Sequence, residues 1–405
     1  MIVIDGSSDT AVTIGPRTVA LGFARMLRAG LALATLTPGH VGGSETYVRG
    51  LLSAFAAGHG PAHTTVLAHA QTAAALGLDG SGAIAVAHLR GGGPPAGGVR
   101  RAAWLLRVLA EARARPLRGP ALDVVHAPLT IPVPRVAGAR LVVTLHDVTH
   151  HERPSAFSAA ERAFRRVAYD DAARRAALVI TVSEHARAAI VAHLGIAPER
   201  VVAIHHGIDH RRLRPEPDAG DERRLADLAL PERFVIYPAN LWPHKNHERL
   251  LEGLATTSGD VALVLTGQRG PRWAGLVALA RRLGVAGRLH HAGYLPDDAM
   301  AALYRRAAGL VFPSLAEGFG APPLEAMACG CPVAASDAGA VAEVTGDAAL
   351  HFDAGDPAAI GAALDRLDRD EALRTRLRAA GPQHVAGFTW AACGRRHGEA
   401  YESAR

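Results

Sequence analysis

Twice along the chain, short apolar runs alternate with amphipathic stretches, and one polar segment separates the two series. The first series opens with LALATLTPG (31–39), read as its first strand. It continues through TTVLAHA (64–70), AIAVAHL (83–89), LDVVHAP (122–128), RLVVTLHD (140–147), ALVITVS (177–183) and RVVAIHHG (200–207). The second comprises RFVIYPA (233–239), ALVLTG (262–267), RLHHAGY (288–294), GLVFPS (309–314), PVAAS (332–336) and ALHFD (349–353). Strands that are apolar throughout, rather than at every second position, are buried on both faces. Helices between them supply the crossovers that parallel pairing needs. The pattern predicts an α/β protein of two Rossmann-like, doubly wound domains facing a central cleft. Ligands in such sheets sit beyond the carboxyl ends of the strands. The expected boundaries are a weakly organised extension at 1–28, with Met26 as an alternative start, and an N-terminal domain at 29–207. A charged, Pro-containing linker at 208–232 and a C-terminal domain at 233–388 follow, then a last helix at 389–405. The cluster GGGPPAGG (91–98) reads as a surface loop.

Composition narrows the function classes. Of 44 Lys and Arg residues against 38 Asp and Glu, 43 are arginine, and the one lysine is Lys245 in WPHKNHERLL. The net charge of +6 is spread along the chain, in stretches such as RRVAYDDAARRAA that form solvated helix faces. With aromatic residues at 5%, little is available to stack bases, so no nucleic-acid partner is expected. Three cysteines make no disulfide framework. Cys329 and Cys331 of the C-G-C read as small residues at a helix-to-strand junction rather than a metal or redox pair. No apolar run reaches the roughly 18–20 residues of a membrane span, and the first residues lack the ordered regions of a signal peptide. The expected location is cytoplasmic, with the inner face of the membrane as a second option. A basic surface would favour anionic lipid, yet no amphipathic anchor stands out.

The richest stretch for chemistry is SLAEGFGAPPLEAMACGCPVAAS (314–336). A strand ends, a glycine-rich turn follows, and Pro322–Pro323 suit the first turn of a helix. Open backbone N–H groups at such a helix start make an anion site where glycines allow close approach. Glu317 and Glu325 flank it, eight positions apart, and offer acceptor oxygens to hydroxyls on either side. A helix-dipole role for Glu325 and a solvated-turn role for Glu317 are the plain alternatives. Gly42 and Gly43 open the first helix in the same way, with Ser44 and Glu45 as capping residues. His146 ends the strand VVTLH, where a crevice residue lies; Asp147, His205–His206 and His290–His291 have weaker claims. His244 and His247 stand at helical spacing for a metal pair, but no third ligand is placed by sequence.

EGFGAPPLEAMACGCPV resembles the donor-site signature of retaining GT-B glycosyltransferases of family four, the glycosyl transferases group 1. Other segments agree in order over about residues 30–405: GHVGGSETYVRGL, VVTLHD, ITVSEHAR, HHGID, YPANLWPHKNHERLLEG and GYLPDDAMAALYRRA. The resemblance implies that a sugar passes from a nucleotide diphosphate to an acceptor hydroxyl with retention, without a carboxylate nucleophile, a cofactor or an essential metal. It implies catalytic roles for His146, Lys245 and Glu317. The implied donor contacts are Gly42, Gly43, Asn240, Lys245, Arg269, Tyr294, Glu317, Gly318, Phe319, Gly320, Leu324 and Glu325, with Lys245 on the diphosphate, Glu317 on the sugar and Glu325 on the ribose. It also implies that the last helix crosses back to the N-terminal half. One departure stands out: the family often carries an arginine where this chain has Ala239, and Asn240 or Arg269 is the expected substitute. Guanosine and uridine donors lead. The acceptor is left open among carbohydrates, lipid-linked sugars and natural products, as is the oligomeric state. A sugar phosphorylase, which would need a pyridoxal-phosphate lysine or a different phosphate pocket, and a non-catalytic nucleotide-sugar sensor or subunit are the rival readings.

Overall fold

The computed structural model describes residues 12–14, 17–19, 26–39, 42–80, 82–90, 93–95, 98–114, 116–118 and 121–405. A short antiparallel pair, β1 (Val12–Ile14) with β2 (Arg17–Val19), precedes two parallel sheets. Most of the expected extension at 1–28, and residues 91–92 and 96–97 of the glycine/proline loop, lie outside the described residues.

The first sheet contains β3 (Arg28–Ala32), β4 (His63–Ala68), β5 (Ile84–His88), β6 (Val124–Ala127), β7 (Arg140–Thr144), β8 (Leu178–Thr181) and β9 (Val201–Ala203), in the order β5-β4-β3-β6-β7-β8-β9. The second contains β10 (Phe234–Pro238), β11 (Ala262–Thr266), β12 (Leu289–His291), β13 (Gly309–Phe312), β14 (Val333–Ser336) and β15 (Leu350–Phe352), in the order β12-β11-β10-β13-β14-β15. Every pair within both sheets is parallel. Strands β6, β8, β11, β13 and β14 are buried at every residue, as their predominantly apolar sequences predict. Both sheets reverse direction beside their first strand, so their carboxyl ends form the crevices where ligands sit.

The first strand departs from expectation. It starts at Arg28 and stops at Ala32, although the apolar run continues to Leu36. Leu33, Ala34 and Leu36 are buried in a turn instead, closed by Leu36 N–H donating to the Leu33 carbonyl. Their hydrophobicity reports burial rather than strand.

The helix Trp390–Ala404 starts on a Thr389 cap, whose Oγ1 accepts from Ala392 N, and packs on the N-terminal domain. Cys393, Ala400, Tyr401 and Ala404 share a core with Leu31, Tyr47, Leu51 and Val142. Trp390 lies so close to Gly50 and Gly207 that a Cβ on either would overlap it. No described helix is long and apolar enough to cross a membrane.

Candidate active site

The glycine turn after β13 is gripped by both domains. A side chain at Gly318 would overlap the backbone carbonyl of His146 from the first domain. Ser183 Oγ donates to the Gly318 carbonyl at 2.7 Å from the same side. Beyond the turn, Gly320 takes φ 94°, and the helix Ala321–Ala328 begins with two prolines in its first turn. Proline there wastes no hydrogen bond, because first-turn N–H groups have no partner within the helix.

Lys245 approaches this turn from β10. It ends the 3-10 turn Pro243–Lys245, followed by Asn246 in the left-handed region at φ 61°. Two bonds pin that turn: Asn246 Nδ2 donates to the Ala354 carbonyl at 2.7 Å, and Tyr237 Oη donates to the Lys245 carbonyl at 2.7 Å. Lys245 Nζ meets Glu317 Oε1 at 2.5 Å, with both side chains 14% exposed. Ser314 Oγ donates to the same oxygen at 2.5 Å. The two residues assigned separately to phosphate and sugar are thus in direct contact.

Glu325 is the fifth residue of the helix and so lies one turn in rather than in the first turn, and Tyr304 Oη donates to its Oε2 at 3.1 Å. Burial raises its carboxyl pKa, against the lowering effects of the Tyr304 hydroxyl and the Arg212 charge. Burial also pushes the Tyr304 phenol well up, so it stays a donor.

Across the cleft, the His146 ring packs edge-on to Tyr47 at 5.2 Å and to His206 at 5.8 Å. Its Nε2 lies 3.2 Å from the Pro128 carbonyl, which only accepts, so this nitrogen carries the proton. Burial lowers its pKa, which keeps the ring neutral with Nδ1 as its acceptor. Asp147 Oδ1 accepts from Thr149 N, a local turn role.

The other expected donor contacts separate into two groups. Gly42 and Gly43 are exposed at the start of the helix Gly43–Ala56, with Gly42 at φ 52°. Glu45 does not cap that helix end; it accepts from Gly39 N and pairs with Arg49. Tyr294 is 75% exposed in the loop after β12. Other side chains are committed to the fold. Asn240 Oδ1 accepts from Gln268 N at 2.8 Å, joining the loops after β10 and β11. Arg269 lies over the Trp273 ring at 5.1 Å and donates from Nε to His291 Nδ1 at 3.4 Å. Phe319 is wedged against His205, His206 and Phe388, and Leu324 is a core residue, leaving its backbone at the helix start. At the Ala239 departure, the backbone of Ala239 favours the charged form of the His247 ring, but burial outweighs it. The His247 ring lies tilted by 40° against Tyr237 at 4.8 Å, and burial holds its pKa at about 3. Cys329 and Cys331 are buried, unpaired thiols whose pKa values burial raises.

Sequence reasoning missed four groups. Ser314 and Tyr304 stood within the quoted segments, but nothing local marked their partners. Glu343 Oε1 accepts from Glu184 N and from His205 Nε2, and its Oε2 from His185 N, tying the two domains together. His150, His151 and Asp170 converge as well. Each imidazole points Nε2 at a different carboxylate oxygen, at 3.0 and 2.8 Å, which are hydrogen-bond separations with a proton on each line. That group braces the short helix Thr149–Glu152 against the segment Arg166–Asp170.

Two family models match the chain: Glycosyltransferase Family 4 over residues 41–212 and Glycosyl transferases group 1 over residues 221–384. The chain is 33% identical over 314 residues to D-inositol 3-phosphate glycosyltransferase 1 of Catenulispora acidiphila, covering 71% of this chain and 73% of that protein. It is 29% identical over 259 residues to O-antigen chain mannosyltransferase B of Escherichia coli, covering 63% and 68%. Against the serotype-specific mannosyltransferase WbdA of Escherichia coli, at 30% identity, the match spans 54% of this chain and only 28% of that protein. Among solved structures, Anabaena HepE in complex with UDP and glucose superposes with a TM-score of 0.70 at 20% identity, covering 94% of this chain and all of that one. Sucrose-phosphate synthase from Thermosynechococcus elongatus gives 0.71 at 21%, covering 94% and 99%. These likenesses fix the fold as GT-B.

Proposed function

The chain belongs to the group 1 glycosyltransferases of family four, and from that premise we propose that it moves a sugar from a nucleotide diphosphate to an acceptor hydroxyl with retention of configuration. The observation that carries this reading is the contact of Lys245 with Glu317 at the glycine turn that opens the helix Ala321–Ala328, the helix that also carries Glu325. One cation lies beside backbone donors, where a diphosphate needs both. One carboxylate on either side accepts hydroxyls, Glu317 from the sugar and Glu325 from the ribose. A UDP- or GDP-linked donor suits the site, and the UDP and glucose bound by HepE agree with it.

In the proposed reaction, binding transfers Lys245 from Glu317 to the diphosphate, where it neutralises charge as the glycosidic bond breaks. The transition state is oxocarbenium-like, and the acceptor attacks the same face, assisted by the departing phosphate. Neutral His146 faces the transferred sugar across the cleft, and domain closure excludes water. No step in this scheme calls on a metal or cofactor. The mannosyl and inositol phosphate chemistry named in the relatives supports a role in glycan or glycolipid synthesis, with natural products a further acceptor class. We place the enzyme in the cytoplasm, with peripheral contact at the inner membrane face when the acceptor is lipid-linked.

The test is a panel of nucleotide sugars scored for binding, slow hydrolysis and transfer, with and without EDTA. Turnover of the accepted donor should stay within about twofold in chelator, because Lys245 and helix starts meet the charge that a metal would otherwise carry. Loss of turnover restored by magnesium or manganese would overturn the metal assignment. Binding without hydrolysis or transfer of any donor would favour a sensor.

A further inference from the structure

We infer that Ser314 and Tyr304 are positioning residues: each ties one oxygen of a donor-site carboxylate and leaves the other, Glu317 Oε2 and Glu325 Oε1, aimed at the donor. The inference rests on the function proposed above and assigns two residues that the family motif does not name. At Glu317, Oε1 receives both Lys245 Nζ and Ser314 Oγ at 2.5 Å. Its Oε2 takes no hydrogen bond from the described residues, and it is not among the sealed polar atoms without a partner. It is therefore reachable by solvent. At Glu325, Oε2 receives Tyr304 Oη at 3.1 Å, and Oε1 is open in the same sense.

A carboxylate with both oxygens free rotates about its last torsion, and a hydroxyl donor on one side removes that freedom. Ser314 is fully buried two residues past the end of β13, so its hydroxyl has a fixed origin. Its weaker contacts, the His244 and Ala316 carbonyls at 3.3 and 3.5 Å, leave Glu317 as the main acceptor. Ser314 matters most after the donor binds, when Lys245 has turned to the diphosphate and the serine alone still orients Glu317. Tyr304 is fully buried, and its phenol stays protonated, so it serves Glu325 as a donor throughout.

The two assignments predict opposite signatures. Ser314→Ala should leave the Kd for UDP or GDP within about twofold, because neither ligand carries the sugar, while kcat with the matching nucleotide sugar falls about tenfold or more. Tyr304→Phe removes only a hydroxyl. It should weaken UDP or GDP binding by about tenfold and the nucleotide sugar by the same factor, with kcat less affected. Calorimetric titration and steady-state kinetics measure both, with melting curves confirming that each variant is folded. A merely structural role would shift both ligands and kcat together in both variants, and that result, or wild-type values in both, would overturn the inference. Failure of the wild-type protein to bind any nucleoside diphosphate would instead remove the donor reading itself, and the inference with it.

Discussion

Lys245 is the one place where this arginine-rich chain uses an ammonium, and the structure gives a physical reason. Its Nζ fits between Glu317 Oε1 and the face of Phe312, 5.5 Å from the ring centroid, on a backbone turn pinned by Tyr237 and Asn246. A planar guanidinium is wider and needs a fork of acceptors, whereas one oxygen is offered here. Lys245→Ala is expected to lower turnover roughly a hundred- to thousandfold, the usual cost of losing one preorganised electrostatic contact. Stability should change less, because Ser314 still binds Glu317, whose second oxygen reaches solvent. Lys245→Arg should fold and still lose at least about tenfold, since it keeps the charge and changes its shape. Initial rates with the accepted nucleotide sugar, alongside melting curves, check both. Near-wild-type rates for the arginine variant would mean that a cation of either shape suffices.

At the scale of elements, the contacts that close the cleft are helix caps supplied from across it. The helix Glu184–Leu194 is capped by its own Ser183, whose Oγ accepts from Ala186 N at 3.0 Å and donates onward to Gly318. The next two open N–H groups, at Glu184 and His185, go to Glu343 of the other domain at 2.9 and 2.8 Å. Burial opposes charge on Glu343, but hydrogen bonds from His205, His185 and Glu184 prevail and hold its carboxyl below the usual range. Glu343→Ala should cost about 1 kcal/mol, as cap removals do. It should also enlarge the radius of gyration in small-angle scattering, because the lost bonds join the two domains. An unchanged scattering curve would show that Ser183 and the glycine turn hold the closed form without Glu343. These contacts also mark what sequence reveals. Ser183 before EHAR is a readable cap because its partner is three residues away. Glu343 sits in AGAVAEVTG with no local mark, since its partners are 138 to 159 positions distant. The strands were legible for the opposite reason: burial on both faces writes itself continuously into β6, β8, β11 and β13. Phe319 and Leu324 lie inside the donor signature, yet their side chains serve the core and the domain contact. Spacing alone does not separate those uses.

Across the whole molecule, the last helix joins the end of the chain to its beginning through a buried polar chain. Tyr401 Oη bonds His126 Nδ1 at 2.6 Å, and His126 Nε2 bonds Thr144 Oγ1 at 2.7 Å. That hydroxyl bonds Tyr47 Oη at 2.9 Å, and Tyr47 bonds His397 Nε2 at 2.7 Å. The chain runs directly beneath His146, the ring that faces the proposed sugar site, through the Tyr47 contact. Burial lowers the pKa of His126 and His206 well below the usual value and that of His397 to about 4, with smaller effects from neighbouring groups. Each ring is therefore neutral in the fold and takes up a proton on unfolding below about pH 6.5. Their contribution to stability is complete above that pH and shrinks as pH falls toward the folded values, by about 1.4 kcal/mol per pH unit for each group. For His397 alone the window from about 6.5 to about 4 amounts to on the order of 3 kcal/mol. Urea unfolding followed by tryptophan fluorescence should thus show a midpoint that drops steeply between pH 6.5 and 5, while staying level between pH 7 and 8. His397→Gln keeps hydrogen-bonding groups but cannot titrate, so it should lower stability at pH 7.5 and flatten the acid slope by about one proton. An acid slope that the substitution leaves unchanged would mean that His397 is not among the groups that bind protons when this helix leaves the N-terminal domain.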